Sequence, residues 1–455
     1  MNAPLRGYTL DFIQSMLTEA SGRTSGWFED LELRSAFQPA FSLPQKHAVA
    51  FEASLRAVDP GGNPVSPETL FGPVQNYAET AMLDMLAITL HVQNFFSRRP
   101  SHGVLFVNLH PEVLLDHGNS AEFLASLFSH YEVAPAKVMI DIPGSALEHP
   151  GLDDAIASYR KLGCLISVDD FGVDNADIDS IAHASPAIVK MGRSVITEAM
   201  KEGSTRQSLP RAVSLLHEMG TLVLMEGLES EEQALLAIDA DADFASGFLF
   251  GPHVSSTAEF MQPRELLNRL WDSYRAQRGP ARLGDQATRG AVESDKLHSS
   301  KAKELLKPSV ADIARYREQR RPYLTAVQNI AAKVNAGAAF EASCDAFLAL
   351  EGAIRCFLLD GSGKLTGPDV FSAHPPARQS ADFYALSPHH ESDWSRRDFF
   401  RRAVKEPEVV QATRQYCSLT GYLHCVTFSM ATKDTRGKPV VICGDVDWST
   451  HSAVH

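Results

Sequence analysis

The feature that most constrains this chain is a repeat of apolar, strand-length runs within residues 36–250. They read AFQPAFSL (36–43), AVAFEASL (48–55), GVLFVNLH (103–110), KVMIDI (137–142), LISVDDFG (165–172), AIVKMG (187–192), TLVLMEGLE (221–229) and FASGFLF (244–250). Between most of them lie stretches of helical periodicity, among them Thr80–Phe96, Ser120–Tyr131, Gly151–Lys161 and Gln207–Met219. Eight strands alternating with helices predict an α/β fold of the TIM-like (β/α)8 type, which typically takes about 250 residues, rather than an open sheet. The first two runs are joined only by Pro44–His47, too short for a parallel crossover, so they should pair antiparallel. The later strands should run parallel.

In such a barrel the chemistry sits at the carboxyl ends of the strands. Those ends supply Glu52, Asn108, Asp141, Asp169, Asp170, Lys190, Glu226 and Glu229. The fifth run is the most pointed, because it delivers two adjacent carboxylates, Asp169 and Asp170, and then breaks at Gly172. Like charges at the end of a buried strand raise one another's pKa unless a cation or a donor lies between them. Hard oxygen donors converging from several strands suit Mg²⁺ or Mn²⁺, and no His/Cys cluster invites zinc. A lysine among them would offset charge or meet a phosphate oxygen. The alternative for each residue alone is an ordinary strand-end polar group, with one Asp capping the next helix.

Taken in order, these blocks resemble the EAL domain, the barrel that hydrolyses the bacterial second messenger cyclic di-GMP. The resemblance covers Leu33 to Val254. FQPAF (37–41) is similar to the family's YQP opening, EASLR (52–56) to EALLR, VNLHP (107–111) to VNLSP and VDDFG (168–172) to IDDFG. VKMGRS (189–194) resembles IKIDRS, MEGLES (225–230) AEGVET, and ASGFLFGP (245–252) VQGYLFGKP. The resemblance implies two metal ions, Mg²⁺ or Mn²⁺, held by Glu52, Asn108, Asp141, Asp169, Asp170 and Glu226. It implies catalytic roles for Lys190, Glu52 and Asp170, with Lys190 orienting a water. It also implies ligand contacts by Gln38, Arg56, Asp169, Glu229 and Ser246.

The departures from the pattern cluster in the chemistry. The family's E-[LI]-T-E reads D-I-P-G here, so a ligating Glu becomes Asp141, one methylene shorter, and a second Glu becomes Gly144. Mg²⁺ demands near-ideal octahedral placement, and Pro143 stiffens the backbone that would adjust. The loop after the paired aspartates carries Asp174 in place of a turn glycine and adds Asp177 nearby. Gly192 replaces the Asp of K-I-D, Ser246 a glutamine and Ser54 a leucine. Losses of supporting groups typically cost about 10–100-fold each in metal affinity or activity. The expectation is a degenerate EAL domain with little or no phosphodiesterase activity, regulating through cyclic di-GMP or a protein partner. The alternative is a working metal-dependent phosphodiesterase that gives the linear dinucleotide.

The rest of the chain bounds these readings. Its 455 residues suggest two or three domains. A formal charge of −14 argues against a nucleic-acid polymer as partner. No basic-then-apolar leader and no membrane-length apolar run occur, so a cytoplasmic protein without membrane insertion is expected. The six cysteines show no CxxC pair and read as buried reduced thiols. The expected division is an N-terminal helical segment (1–30), the barrel (31–258), a helical linker (259–339) with a mobile stretch at 279–300, and an α+β domain (340–455). That last domain is weakly similar to PAS or Cache sensors. A long helix from Ser309 to Val334 should kink or break at Pro322. The basic run Arg396, Arg397, Arg401 and Arg402 reads as a solvated helix face, with an anion site as the alternative. A homodimer is expected because EAL domains tend to dimerise.

Overall fold

The computed structural model describes residues 9–20, 22–71, 77–97, 103–116, 119–172, 178–256, 260, 262–282, 310–378, 383, 392–422, 424–449 and 451. Asp174, Asp177 and most of the 279–300 stretch lie outside these residues.

Eight strands close into a barrel: β1 (Leu31–Ser42), β2 (His47–Val58), β3 (Val104–Asn108), β4 (Val138–Pro143), β5 (Leu165–Phe171), β6 (Ile188–Met191), β7 (Leu222–Met225) and β8 (Phe244–Ser246). The ring closes because β1 pairs antiparallel with both β2 and β8, while β2 through β8 are joined in parallel. The antiparallel start follows from the tight turn at Pro44–His47, as expected. Side chains alternate across each strand, so Val104 and Phe106, Met139, Leu165, Ile188, Leu222 and Leu224, and Phe244 fill the interior in layers. The opposite faces pack under the helices.

Those helices carry their own stop signals. Leu152–Leu162 has Asp153 and Asp154 in its first turn and Arg160 and Lys161 in its last, matching the helix dipole. It ends on Gly163 at φ 100°, a left-handed cap that glycine adopts without strain.

The first thirty residues correct the expectation of a helical segment alone. A short helix, Leu10–Ser15, is followed by a hairpin of Leu17–Ala20 and Arg23–Phe28, which pairs onto the start of β1. Thr24 and Ser25 lie in the second strand of this hairpin. With the far half of β2 and the two-residue strand Pro64–Val65, it extends the sheet beyond the barrel mouth.

After the barrel come helix Arg264–Arg282 and, later in the chain, helix Val310–Asn335, which runs through Pro322 without ending there. The final sheet is antiparallel and built on β9 (Ala353–Asp360), β10 (Cys425–Lys433) and β11 (Pro439–Asp447), with two-residue strands at its edges. β10 and β11 form a full hairpin, while after β9 the chain turns back only through a single Leu359–Leu365 bridge. Val327, Ile330 and Tyr323 of the long helix cover one face of this sheet. Phe357, Leu359, Cys443 and Val441 on the other face join the core that continues into the barrel interior.

The basic run is a second correction. The helix here is Asp398–Lys405, and Arg396 and Arg397, just before it, are buried against the barrel rather than solvated. All six cysteines are buried and free. No helix among the described residues is long and apolar enough to cross a membrane.

Candidate metal and ligand site at the barrel mouth

Inward-facing positions near the ends of β2 to β6, and the residue after β7, bring Glu52, Asn108, Asp141, Asp169, Lys190 and Glu226 to one place. Lys190 is fully buried on β6 and sits at the centre. Its Nζ lies 2.9 Å from Asp141 Oδ2, 3.1 Å from Glu52 Oε2, 3.1 Å from Glu226 Oε1 and 3.7 Å from Asp169 Oδ2. The ammonium also faces the Phe106 ring, 5.1 Å from its centroid. Asn108 Nδ2 donates to Glu52 Oε1 at 3.3 Å, and Ser167 Oγ donates to Asp141 Oδ1.

Four carboxylates around one lysine leave excess negative charge. Burial drives up the pKa of Asp141 to about 7, with Asp169 and Glu52 adding repulsion that the lysine only partly offsets. Burial likewise raises Glu226 and Asp169. Glu52 goes the other way, since Lys190 and Asn108 outweigh its burial. Burial disfavours the Lys190 ammonium, yet the carboxylates around it hold its proton well above the usual lysine range.

Ligand atoms of Glu52, Asp141 and Asp169 lie within 4.8 Å of one another, close enough to share one ion. Asp141 Oδ2 and Glu226 Oε1 are buried without a hydrogen-bond partner, because Lys190 approaches them by charge but not in hydrogen-bonding geometry. Orphaned carboxylate oxygens facing a shared centre fit a hard divalent cation such as Mg²⁺ or Mn²⁺.

The other sequence candidates sit at the margin. Asp170 is exposed, lies in the left-handed region at φ 53° and marks an irregularity in the β5–β6 pairing. Its N–H donates to Asp169 Oδ1 at 2.8 Å, so its backbone orients the neighbouring carboxylate. Arg56 is exposed and donates to Leu55 O at 3.2 Å. Gln38 stands opposite Glu52 in the β1–β2 register, and Ser246 is buried at the end of β8. Glu229 accepts from Arg193 Nη2 at 2.8 Å, and its N–H donates to Gln233 Oε1 at 2.7 Å. Gly192, which stands where a carboxylate was expected, is the N-cap of helix Arg193–Lys201.

Sequence reasoning missed Ser167 and Asp84. Ser167 shares the inward face of β5 with Asp169, two residues on, and a lone hydroxyl in an otherwise apolar strand was its signal. Asp84 is buried in helix Tyr77–Phe96 and accepts from His110 N at 2.6 Å, tying down the loop just after Asn108.

Against this geometry, residues 22–253, just over half of the chain, match the family described as the EAL domain. The chain belongs to the EAL domain family. Curated relatives include the cyclic di-GMP phosphodiesterase RocR of Pseudomonas aeruginosa, 24% identical over 232 residues, which are 48% of this chain and 57% of that protein. The biofilm architecture maintenance protein MbaA of Vibrio cholerae is 24% identical over 228 residues, 49% of this chain and 28% of its own. This EAL protein thus spans only part of the length of the curated relatives it matches. Among solved structures, Klebsiella pneumoniae BlrP1 with calcium and cyclic di-GMP is 19% identical, with TM-score 0.45, over 49% of this chain and 55% of that chain. Bacillus subtilis YkuI, in complex with cyclic di-GMP and calcium, is 18% identical, with TM-score 0.49, over 92% of this chain and 96% of that chain.

Proposed function

We propose that this EAL domain binds cyclic di-GMP with divalent cations at the carboxylate cup and hydrolyses it weakly or not at all, acting as a regulatory module. The observation that carries the reading is the pairing of an assembled cup with a compromised Asp141. The shared centre and the orphaned oxygens support cation binding. Asp141, however, is one methylene shorter than the glutamate of the family pattern, and one of its two oxygens is taken by Ser167. No carboxylate stands at Gly144 to steady the loop beyond β4.

Glu52, Asn108, Asp141, Asp169 and Glu226 would hold the ions, with Asp170 at the edge of a second position. When bound, such ions neutralise charge on a phosphodiester and activate water. Lys190, between Asp141, Glu52 and Glu226, holds the acidic groups together and is placed to orient a water among them. Arg56 at the exposed rim is placed to meet a phosphate, and Glu229 is restrained by Arg193. Gln38 and Ser246 line the approach from β1 and β8. The C-terminal sheet is a sensor or dimerisation unit in this reading, and the chain works as a homodimer or with a regulatory protein.

Incubating the purified chain with Mn²⁺ and cyclic di-GMP and separating the nucleotides by chromatography tests the proposal. Little linear product is expected, together with micromolar binding in a calorimetric titration with Ca²⁺. Brisk, metal-requiring accumulation of linear product would establish the second reading, a working phosphodiesterase, which the 4.8 Å carboxylate grouping favours. Asp141→Glu restores the longer carboxylate, and its turnover should exceed that of the parent chain by roughly tenfold, the lower end of what support for a metal site is worth.

A further inference from the structure

The carboxylate cup has a counterpart at the opposite end of the barrel. Asp243, fully buried just before β8, gathers four elements. Its Oδ2 accepts from Val223 N on β7 at 2.8 Å and faces His217 Nε2 at 2.8 Å. Its own N–H donates to Val223 O at 3.0 Å, and its carbonyl accepts from Leu43 N at 3.0 Å, at the end of β1. The remaining oxygen, Oδ1, is taken by Arg397 from the C-terminal unit. Beside it Arg396 donates to the carbonyls of Ile238 and Asp239, which end helix Glu231–Asp239 and carry its negative pole.

Strand β7 is only four residues long, and Glu226 follows it directly. From Val223 to Glu226 is three residues, about 10 Å of extended chain. The strand therefore has one ionic anchor at its base and a candidate metal ligand at its tip. From this placement we infer that Arg397 is a positioning residue for the cup: through Asp243 it fixes β7 and thereby Glu226, so that the C-terminal unit acts on the site from the far end of the barrel. The inference rests on the reading of the cup as a cation site.

Hydrogen exchange and Mn²⁺ titration on the full chain test it. Arg397→Gln leaves the buried Asp243 carboxylate with only His217 and the Val223 N–H against it. Exchange of the 222–226 amides should quicken about tenfold while β3–β5 hold their protection, and Mn²⁺ affinity should fall about tenfold, as for other groups that orient metal ligands. Arg397→Lys keeps the charge and should recover part of both effects. Arg414→Gln, which breaks only the exposed contact to Glu218, should move neither. Unchanged exchange at 222–226, an equal rise throughout the barrel, or loosened β7 with unaltered Mn²⁺ affinity would each overturn the inference. If the parent chain takes up no Mn²⁺, the cup reading has failed. Exchange confined to 222–226 would then still support the anchor, and its absence would overturn it.

Discussion

Lys190 shows what one residue costs and supplies. A fully buried ammonium among four carboxylates is stable only because they compensate it, and they in turn tolerate burial only because it is there. Lys190→Met should therefore destabilise the chain by about 3–5 kcal/mol in urea, the usual cost of stripping one partner from a buried ionic cluster. Added Ca²⁺ should recover more stability in the variant than in the parent, because a divalent ion replaces the missing charge; no differential rescue would argue against a cation site. Asp84 offers a pH test. Burial raises its pKa to about 7, against an ordinary value of 3.8, with His110 N–H opposing. A carboxyl whose folded pKa is raised stabilises the fold below its unfolded pKa, and that contribution is lost as pH climbs through the folded value. Stability from this group should fall between about pH 4 and about pH 7. Asp84→Asn can still accept from His110 and should flatten that part of the curve, measured by urea midpoints across the range. The cup residues were legible in the sequence because each is a polar group set in or directly after an otherwise apolar strand. Asp84 was not, since it sits inside a helix whose other residues explain themselves by packing.

At the scale of elements, strands flanked by helices were easy to place because two sequence periods alternate. The hairpin at Leu17–Phe28 was not, because its strands are short, polar and half exposed, so alternation carries little apolar contrast. Helix Val310–Asn335 shows tertiary packing overriding a local signal: Pro322 lacks an N–H, yet Tyr323, Val327 and Ile330 fix the helix against the C-terminal sheet. One glycine secures the closing strand. Gly247 has φ +143°, and a Cβ there would lie 2.2 Å from the carbonyl oxygen of Leu228. That contact keeps the end of β8 against the loop carrying Glu226 and Glu229, where Leu228 N donates to Ser246 O at 3.0 Å. Backbone cannot yield as a side chain tip can, so Gly247→Ala should cost at least the roughly 1–3 kcal/mol of an overpacked core. A urea midpoint within error of the parent would contradict this placement.

For the molecule as a whole, the decisive fact is that the barrel and the C-terminal sheet share an apolar core. Phe383 packs on Phe244 at 5.1 Å between ring centroids, and Asp393 N donates to Pro44 O at 2.8 Å, across the turn that starts the barrel. Arg275 of the helix after the barrel pairs with Asp393, and Arg397 pairs with Asp243. Sequence alone showed two units because composition and period change between them, but it could not show the surface they share. The residues that make it, Arg396 and Arg397, look like a solvated basic run when read locally. Independent motion is the default for units joined by a small polar interface, and a buried, partly apolar one removes it. The full chain should accordingly unfold in one calorimetric transition, with the van't Hoff enthalpy equal to the calorimetric enthalpy. Two resolved transitions would mean that the junction contributes little. In the same experiment Arg397→Gln should lower the midpoint, or split the transition, because Asp243 then loses its strongest partner at the point where both cores meet. Arg414→Gln, removing an exposed pair worth about 0–1 kcal/mol, should leave it in place.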